Sequence, residues 1–233
     1  LVLRHRKDDV AWPVASEPFA QWVIEDNFPL GRPAFEAVGA TVVDDVHSYE
    51  AIKIRLLNGG HHSGAYVGQL AGYTFVHDAL GDPRIEAFVR DYMISDGVPT
   101  LAVPEGFNLP GYIDELFQRF RNASVADTLA RLGTDASNRI PGFVVPTVLD
   151  RISNGADARA GARLIASWRE FNREASRGRF RLDDESADLL LEASNGEPLD
   201  FLMALPTLAP VAASEGFVAA YLEAVRQLEG GGV

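Results

Sequence analysis

The sequence predicts a mainly α-helical domain preceded by a few short strands. Three observations carry that expectation. From about Ser48 onward, apolar residues recur at spacings of three and four, the period of one helix face. Gly, Pro, Asn or Asp stands near the ends of these segments, which follow one another with short connections as helical packings do. Runs rich in β-branched and aromatic residues, the strand formers, gather in the first 45 residues.

Along the chain, "QWVIED" (21–26) and "ATVVDD" (40–45) are the strand candidates. Between them, Pro29, Gly31 and Pro33 punctuate a loop. Ser48 opens a long helix. The uncharged run 56–77, "LLNGGHHSGAYVGQLAGYTFVH", has the length of a membrane span, but Asn58, His61, His62, Gln69 and five glycines make it a buried core helix instead. Asp82-Pro83 is an N-cap followed by proline at the first helical position, starting "RIEAFVRDYM". In "GYIDELFQRFRN" (111–122), Ile113, Leu116, Phe117 and Phe120 line one face. "VADTLARLG" (125–133), "FVVPTVLDRIS" (143–153), "ARAGARLIASWREFNREAS" (158–176), "SADLLLEAS" (186–194) and "GFVAAYLEAVRQLEG" (216–230) complete the helical series. The division expected is an irregular, short-strand segment over 1–46 and a helical domain over 47–233. Gly230-Gly231-Gly232 is the one low-complexity tract.

Composition narrows the function. A net charge of −12 argues against nucleic acid and anionic membrane as partners, since both require a basic face. The chain has no cysteine, which excludes disulfides and cysteine-based zinc sites and suits a reducing cytoplasm. The opening "LVLRHRKDDVAWP" is charged and lacks the apolar core of a signal peptide. No G-x-G-x-x-G follows a predicted strand and no P-loop is present, so no nucleotide-binding fold is expected within the chain.

The chemistry concentrates in "YEAIKIRLLNGGHHS" (49–63). Lys53 is one of two lysines in a chain with nineteen arginines. On an α-helical template with Lys53 at zero, Glu50 lies near 60°, His61 near 80° and Asn58 roughly 140° away. Ile52, Ile54, Leu56, Leu57, Tyr66 and Val67 make the rest of the surface apolar. A buried helix with one polar stripe must satisfy that stripe or use it. One such residue alone is more often structural; four on one stripe point to chemistry. Burial disfavours an ammonium, and a lysine so perturbed acts as a general base, which an arginine cannot do. Gly59-Gly60 costs the helix about 1 kcal/mol per residue relative to alanine, which implies close approach of another backbone or a ligand, or a kink. His61 and His62 are adjacent and cannot ligate one metal as an i, i+4 pair could, so no metal is expected.

The pattern Lys-x4-Asn-x2-His formed by Lys53, Asn58 and His61 resembles the catalytic signature of the polyol-specific long-chain dehydrogenase/reductase family, of mannitol 2-dehydrogenase type. The flanks from Trp12 to Asn58, and "DTLARLGTDASNRIPGFVVPTVLDRI" (127–152), are similar to that type too. The resemblance implies a helical C-terminal substrate and catalytic domain that follows a Rossmann-type domain binding NAD or NADP, with this sequence beginning near the crossover and the Rossmann domain absent from it. It implies a metal-independent cytoplasmic enzyme interconverting a sugar alcohol and a ketose. It assigns Lys53 as general base, Asn58 as donor to the developing oxyanion, His61 as the group orienting substrate, and Glu50 as the carboxylate passing the proton to solvent. Arg131 and Arg139 match positions that hold the distal hydroxyls; the plain alternative for both is an ion pair with Asp127 or Asp135. A uronate oxidoreductase of the same family and a non-catalytic helical interaction module are the other readings.

Overall fold

The computed structural model describes residue 17 and residues 19–230. The charged opening 1–13, the first residues of the stretch that begins at Trp12, and Gly231 and Gly232 lie outside the described residues. The chain divides into two compact units between His47 and Ser48.

In the first unit, β1 (Val23–Glu25) and β2 (Thr41–Val43) pair in parallel, with Val23 opposite Thr41 and Glu25 opposite Val43. The connection contains one 3₁₀ turn, Phe35–Val38. Arg32 fastens it by ion pairs to Asp26 at 2.8 Å and Glu36 at 2.7 Å. Trp22 and Phe35 pack with ring centroids 5.4 Å apart.

The second unit is helical. The helix expected from Ser48 is three pieces in line: α1 (His47–Ile52), a π-helical turn (Lys53–Asn58) and α2 (Gly59–Leu70). It ends seven residues short of the uncharged run that predicted it, because Gly72 takes a left-handed φ of 92°. α3 (Val76–Ala79) and α4 (Pro83–Asp91) follow, and the Asp82 side chain caps α4 by accepting from Arg84 N–H at 2.9 Å. A second π turn (Tyr92–Gly97) extends α4. α5 (Leu109–Phe120) buries Ile113, Leu116, Phe117 and Phe120. Then come α6 (Leu129–Leu132), α7 (Ala136–Phe143), α8 (Val145–Ser153), α9 (Arg159–Ser176), α10 (Ala187–Asn195), α11 (Pro198–Ala204), α12 (Ala209–Ala212) and α13 (Glu215–Glu229). The helix expected over 125–133 forms only as α6, since residues 127–129 exchange backbone hydrogen bonds with Thr74 and Val76 around an antiparallel Phe75–Thr128 bridge.

α9 lies against α13, α10 and α2, and its fully buried Trp168 meets Phe201 edge-on at 4.9 Å. Asp96, buried in the second π turn, accepts from Gly161 N–H at 2.7 Å and lies 3.5 Å from the Arg151 guanidinium. A carboxylate from another element thereby satisfies one of the orphan N–H groups in the first turn of α9.

The two π turns pack on each other through glycine. A Cβ on Gly59 would stand 2.6 Å from the Tyr92 hydroxyl and 2.7 Å from its ring, and one on Gly97 would stand 2.8 Å from Leu56. Gly60 faces Met93, and Gly64 and Gly68 continue the same small-residue face toward Val89 and Leu129. Side chains, not a backbone, are what approach Gly59 and Gly60. Among the described residues no helix is long and apolar enough to cross a membrane.

Candidate active site

The first correction concerns Lys53. The sequence placed it on a buried stripe; the structure leaves Lys53 and Glu50 exposed. The reason is that the core closes around α2 and not around the turns before it. Burial is nearly continuous from Gly59 to Gln69, whereas in α1 and the π turn only Ile52 and Leu56 are buried. Desolvation of the ammonium is therefore not supplied by this chain's own packing.

The second correction concerns phase. An α-helical template separates Lys53 from Asn58, but a π turn pairs the backbone of positions five apart, which brings Asn58 toward the face of Lys53. Glu50 precedes Lys53 by three residues on α1, a face-sharing spacing on an α-helix. Neither the Lys53 ammonium nor the Asn58 amide has a hydrogen-bond or ion-pair partner among the described residues. That sets Lys53 apart in a chain whose arginines are mostly ion-paired, as Arg32, Arg55, Arg84 and Arg163 are.

His61 is half-buried, one turn further along α2, with its ring 4.6 Å from that of Phe120 at the end of α5. Burial pushes its pKa down to about 4; the Asp127 carboxylate opposes that shift, while Arg131, Arg119 and Lys53 reinforce it. The imidazole is therefore neutral at physiological pH, with one N–H donor and one acceptor. The charges around it show which groups gather here: Lys53 from the π turn, and Asp127, Arg131 and Arg119 from around α5 and α6.

Arg131 makes the ion pair that was its plain alternative, a two-pronged contact with Asp127 in which Nε donates to Oδ1 at 2.6 Å and Nη2 to Oδ2. Arg139 does not pair with Asp135: its backbone N–H donates to the Asp135 carbonyl, and its guanidinium has no ion-pair partner among the described residues. The charge of Arg139 acts on the other histidine. His62 is buried, shares a hydrogen bond of 3.0 Å with the Tyr66 hydroxyl, and lies 5.8 Å from the Phe143 ring. Burial, with Arg139 adding to it, holds His62 down at about 3, so this is a neutral core histidine.

Sequence reasoning missed Asp127 and Phe120 as members of the site. Asp127 was visible as the residue four before Arg131, but only as an ion-pair partner. Phe120 was visible as the last apolar position of α5, but not as the platform for His61.

NAD(P), which the resemblance implies, requires a glycine-rich turn from a strand into a helix to receive its pyrophosphate. Among the described residues β2 leads to α1 through Asp44-Asp45-Val46, which offers negative charge in place of glycines. The residues present do not fit a dinucleotide cradle. They fit the substrate side of a reaction: a free cation, an amide, a neutral imidazole and an anchored guanidinium.

The mannitol dehydrogenase C-terminal domain, as a family description, matches residues 45–210. Over 185 residues the chain is 38% identical to a mannitol 2-dehydrogenase of Pyrenophora tritici-repentis, covering 77% of this chain and 33% of that protein. Over 166 residues it is 45% identical to a D-arabinitol 4-dehydrogenase of Ralstonia nicotianae, covering 71% of this chain and 36% of that protein. Among solved structures, Pseudomonas fluorescens mannitol 2-dehydrogenase in ternary complex with NAD and D-mannitol superposes with a TM-score of 0.84 at 36% identity, over 96% of this chain and 47% of that chain. The chain spans about a third of the length of these curated relatives and about half of that solved chain.

Proposed function

The chain belongs to the mannitol dehydrogenase family, through its C-terminal domain; on that premise we propose that it carries the substrate-binding and proton-transfer half of an NAD(P)-dependent polyol dehydrogenase. In this reading it works with a Rossmann-type domain that closes over the exposed face of Lys53 and Asn58, and residues 47–233 form the catalytic domain, with 1–46 the segment leading into it. NAD(P), held by that other domain, supplies the hydride acceptor for oxidation of a sugar alcohol to a ketose.

The steps assigned to this chain are those of its own side chains. Lys53, as the free amine, takes the proton of the reacting hydroxyl. Asn58, brought toward the face of Lys53 by the π turn, donates its amide N–H to the oxygen as negative charge develops there, a preorganised interaction whose loss typically costs about a hundred- to a thousand-fold in rate. His61, neutral, uses its single N–H to orient the same or the neighbouring oxygen. Glu50, exposed on the adjoining turn, passes the proton from Lys53 to solvent. Arg131 and Arg139 hold the hydroxyls at the far end of the substrate.

The observation that carries this reading is an unpaired lysine on a π turn whose charge acts on a neutral, aromatic-backed histidine, in a chain similar to proteins named mannitol 2-dehydrogenase and D-arabinitol 4-dehydrogenase. The test is turnover of mannitol, arabinitol, sorbitol and uronates by the natural protein with NAD and NADP, repeated with Lys53→Ala and Lys53→Arg. Lys53→Ala is expected to lose about a hundred- to ten-thousand-fold in kcat, the usual contribution of a general base. Lys53→Arg is expected to stay inactive, because a guanidinium does not surrender its proton. Turnover by Lys53→Arg close to that of the parent shows that the position supplies only charge and overturns the assignment.

A further inference from the structure

The segment between α5 and α6 brings one carboxylate beside both His61 and Arg131, and that carboxylate has no role in the steps above. The backbone of Asp127 is tied down on both sides. Its carbonyl accepts from Val76 N–H at 2.9 Å, and the following bridge closes with Leu129 N–H donating to the Thr74 carbonyl at 3.0 Å. Capping of α6 is done by its neighbour, Thr128, whose hydroxyl accepts from Arg131 N–H at 3.3 Å. The Asp127 carboxylate is thus not the N-cap of α6, although the Thr128 N–H beside it helps Arg131 hold its pKa down. It takes the Arg131 guanidinium on two prongs instead.

The two partners are unequal. The Asp127 side chain is 19% exposed and that of Arg131 is 63% exposed, so the aspartate is the anchor and the arginine is what it holds. A guanidinium carries five N–H donors. The clamp consumes the Nε hydrogen and one on Nη2. The remaining three, two of them on Nη1, lie along the edge turned away from Asp127. A two-pronged pair fixes the plane of the fork as well as its position, which a single contact does not.

We propose that Asp127 is a positioning residue that presents the free edge of Arg131 to the distal hydroxyls of the substrate and thereby sets a preference for long over short polyols. The inference rests on the polyol reading for Arg131. The response of His61 to both charges supports it, because it puts the Asp127–Arg131 pair beside the site. A side chain held before the ligand arrives loses less rotational freedom on binding, so release of Arg131 is expected to weaken recognition of distal hydroxyls about two- to tenfold.

The test compares Asp127→Asn, Arg131→Ala and the double variant in the natural protein, using a six-carbon polyol and glycerol, which lacks the distal hydroxyls. Asp127→Asn is expected to lower the six-carbon to three-carbon ratio of kcat/KM about two- to tenfold, through KM and not kcat. In the Arg131→Ala background the same change is expected to have no further effect. Equal losses on both substrates, additivity with Arg131→Ala, or an unchanged ratio overturns the proposal. A second readout is independent of turnover: the Arg131 Nε–H resonance in ¹H–¹⁵N spectra is expected to be protected in the parent and lost in Asp127→Asn, and an unchanged signal also overturns it. Failure of the parent to oxidise any polyol sinks the reading of the reaction instead, which keeps the two failures apart.

Discussion

Gly59 and Gly60 are neighbours on one helix, yet replacing each with alanine is expected to have opposite consequences. Alanine in a helix interior gains roughly 1 kcal/mol over glycine at either position. At Gly59 the new methyl would meet the Tyr92 hydroxyl at 2.6 Å and its ring at 2.7 Å, and Tyr92 is fully buried. A rigid ring with no free space beside it must drag backbone with it, and overpacking of this kind costs about 1–3 kcal/mol. The net effect at Gly59 is a loss of up to about 2 kcal/mol, or up to roughly 8 °C in Tm for a unit of this size. At Gly60 the clash is closer still, but it is with the terminal methyl of Met93. An unbranched thioether swings aside at small cost, so Gly60→Ala is expected to leave stability unchanged or raise it by up to about 1 kcal/mol. Thermal and urea unfolding of the two variants, followed by circular dichroism, makes the comparison. A larger loss at Gly60 than at Gly59, or a gain at both, refutes the argument that the stiffness of the neighbour outweighs its distance.

Two further outcomes follow from buried polar groups. His62 is neutral in the folded protein down to about 3, whereas an unfolded-chain histidine takes a proton below its ordinary 6.5. The unfolded state therefore binds more protons in that window, and stability is expected to fall as pH drops from 6.5, at up to about 1.4 kcal/mol per pH unit for this one group and several kcal/mol, on the order of 5, in full. His61 acts in the same direction down to about 4. Urea unfolding between pH 7 and 5, above the range where carboxylates dominate, reads the slope; His62→Asn should remove about one proton's share, and a flat profile in the parent contradicts the placement. Asp96→Ala leaves Arg151 without its buried partner and Gly161 N–H without its acceptor, and is expected to cost about 3 kcal/mol or more, with Asp96→Asn milder because its carbonyl still accepts; equal losses in the two would mean that the charge alone matters.

What could be read from the sequence was what local chemistry decides. Asp82-Pro83 announces α4 because the cap is made within three residues. Ile113, Leu116, Phe117 and Phe120 announce the buried face of α5 because one helix repeat suffices to define it. α7 escaped because Pro141 lies inside it and signals a stop. The stretch 125–128 read as helix because nothing local reveals that Thr128 bridges to Phe75, more than fifty residues away. In the site, residue types singled out Lys53, Asn58, His61 and Arg131, while exposure and partners escaped. Lys53 was placed in the core because the apolar residues around it do not reveal where along the helix burial begins, and Asp127 was discounted because its pairing with Arg131 was foreseen and its nearness to His61 was not.

The π turn at 53–58 has a consequence for how this helix tolerates change in length. It holds one residue more than an α-helix would across the same span, so the segment resembles a ruler with an inserted mark. Deleting a single residue from 54–57 would restore an unbroken α-helix from His47 to Leu70, a locally better hydrogen-bonded state. The core residues of α2 would keep their places, and the residues before the deletion would keep their phase, because Lys53 and Asn58 would then be four apart on an α-helix and still share a face. A single deletion anywhere in the regular turns of α1 or α2 would instead rotate everything before it by about 100° about the axis. The widened turn is therefore the one place in this helix where a residue can be lost without turning the reacting groups in different directions.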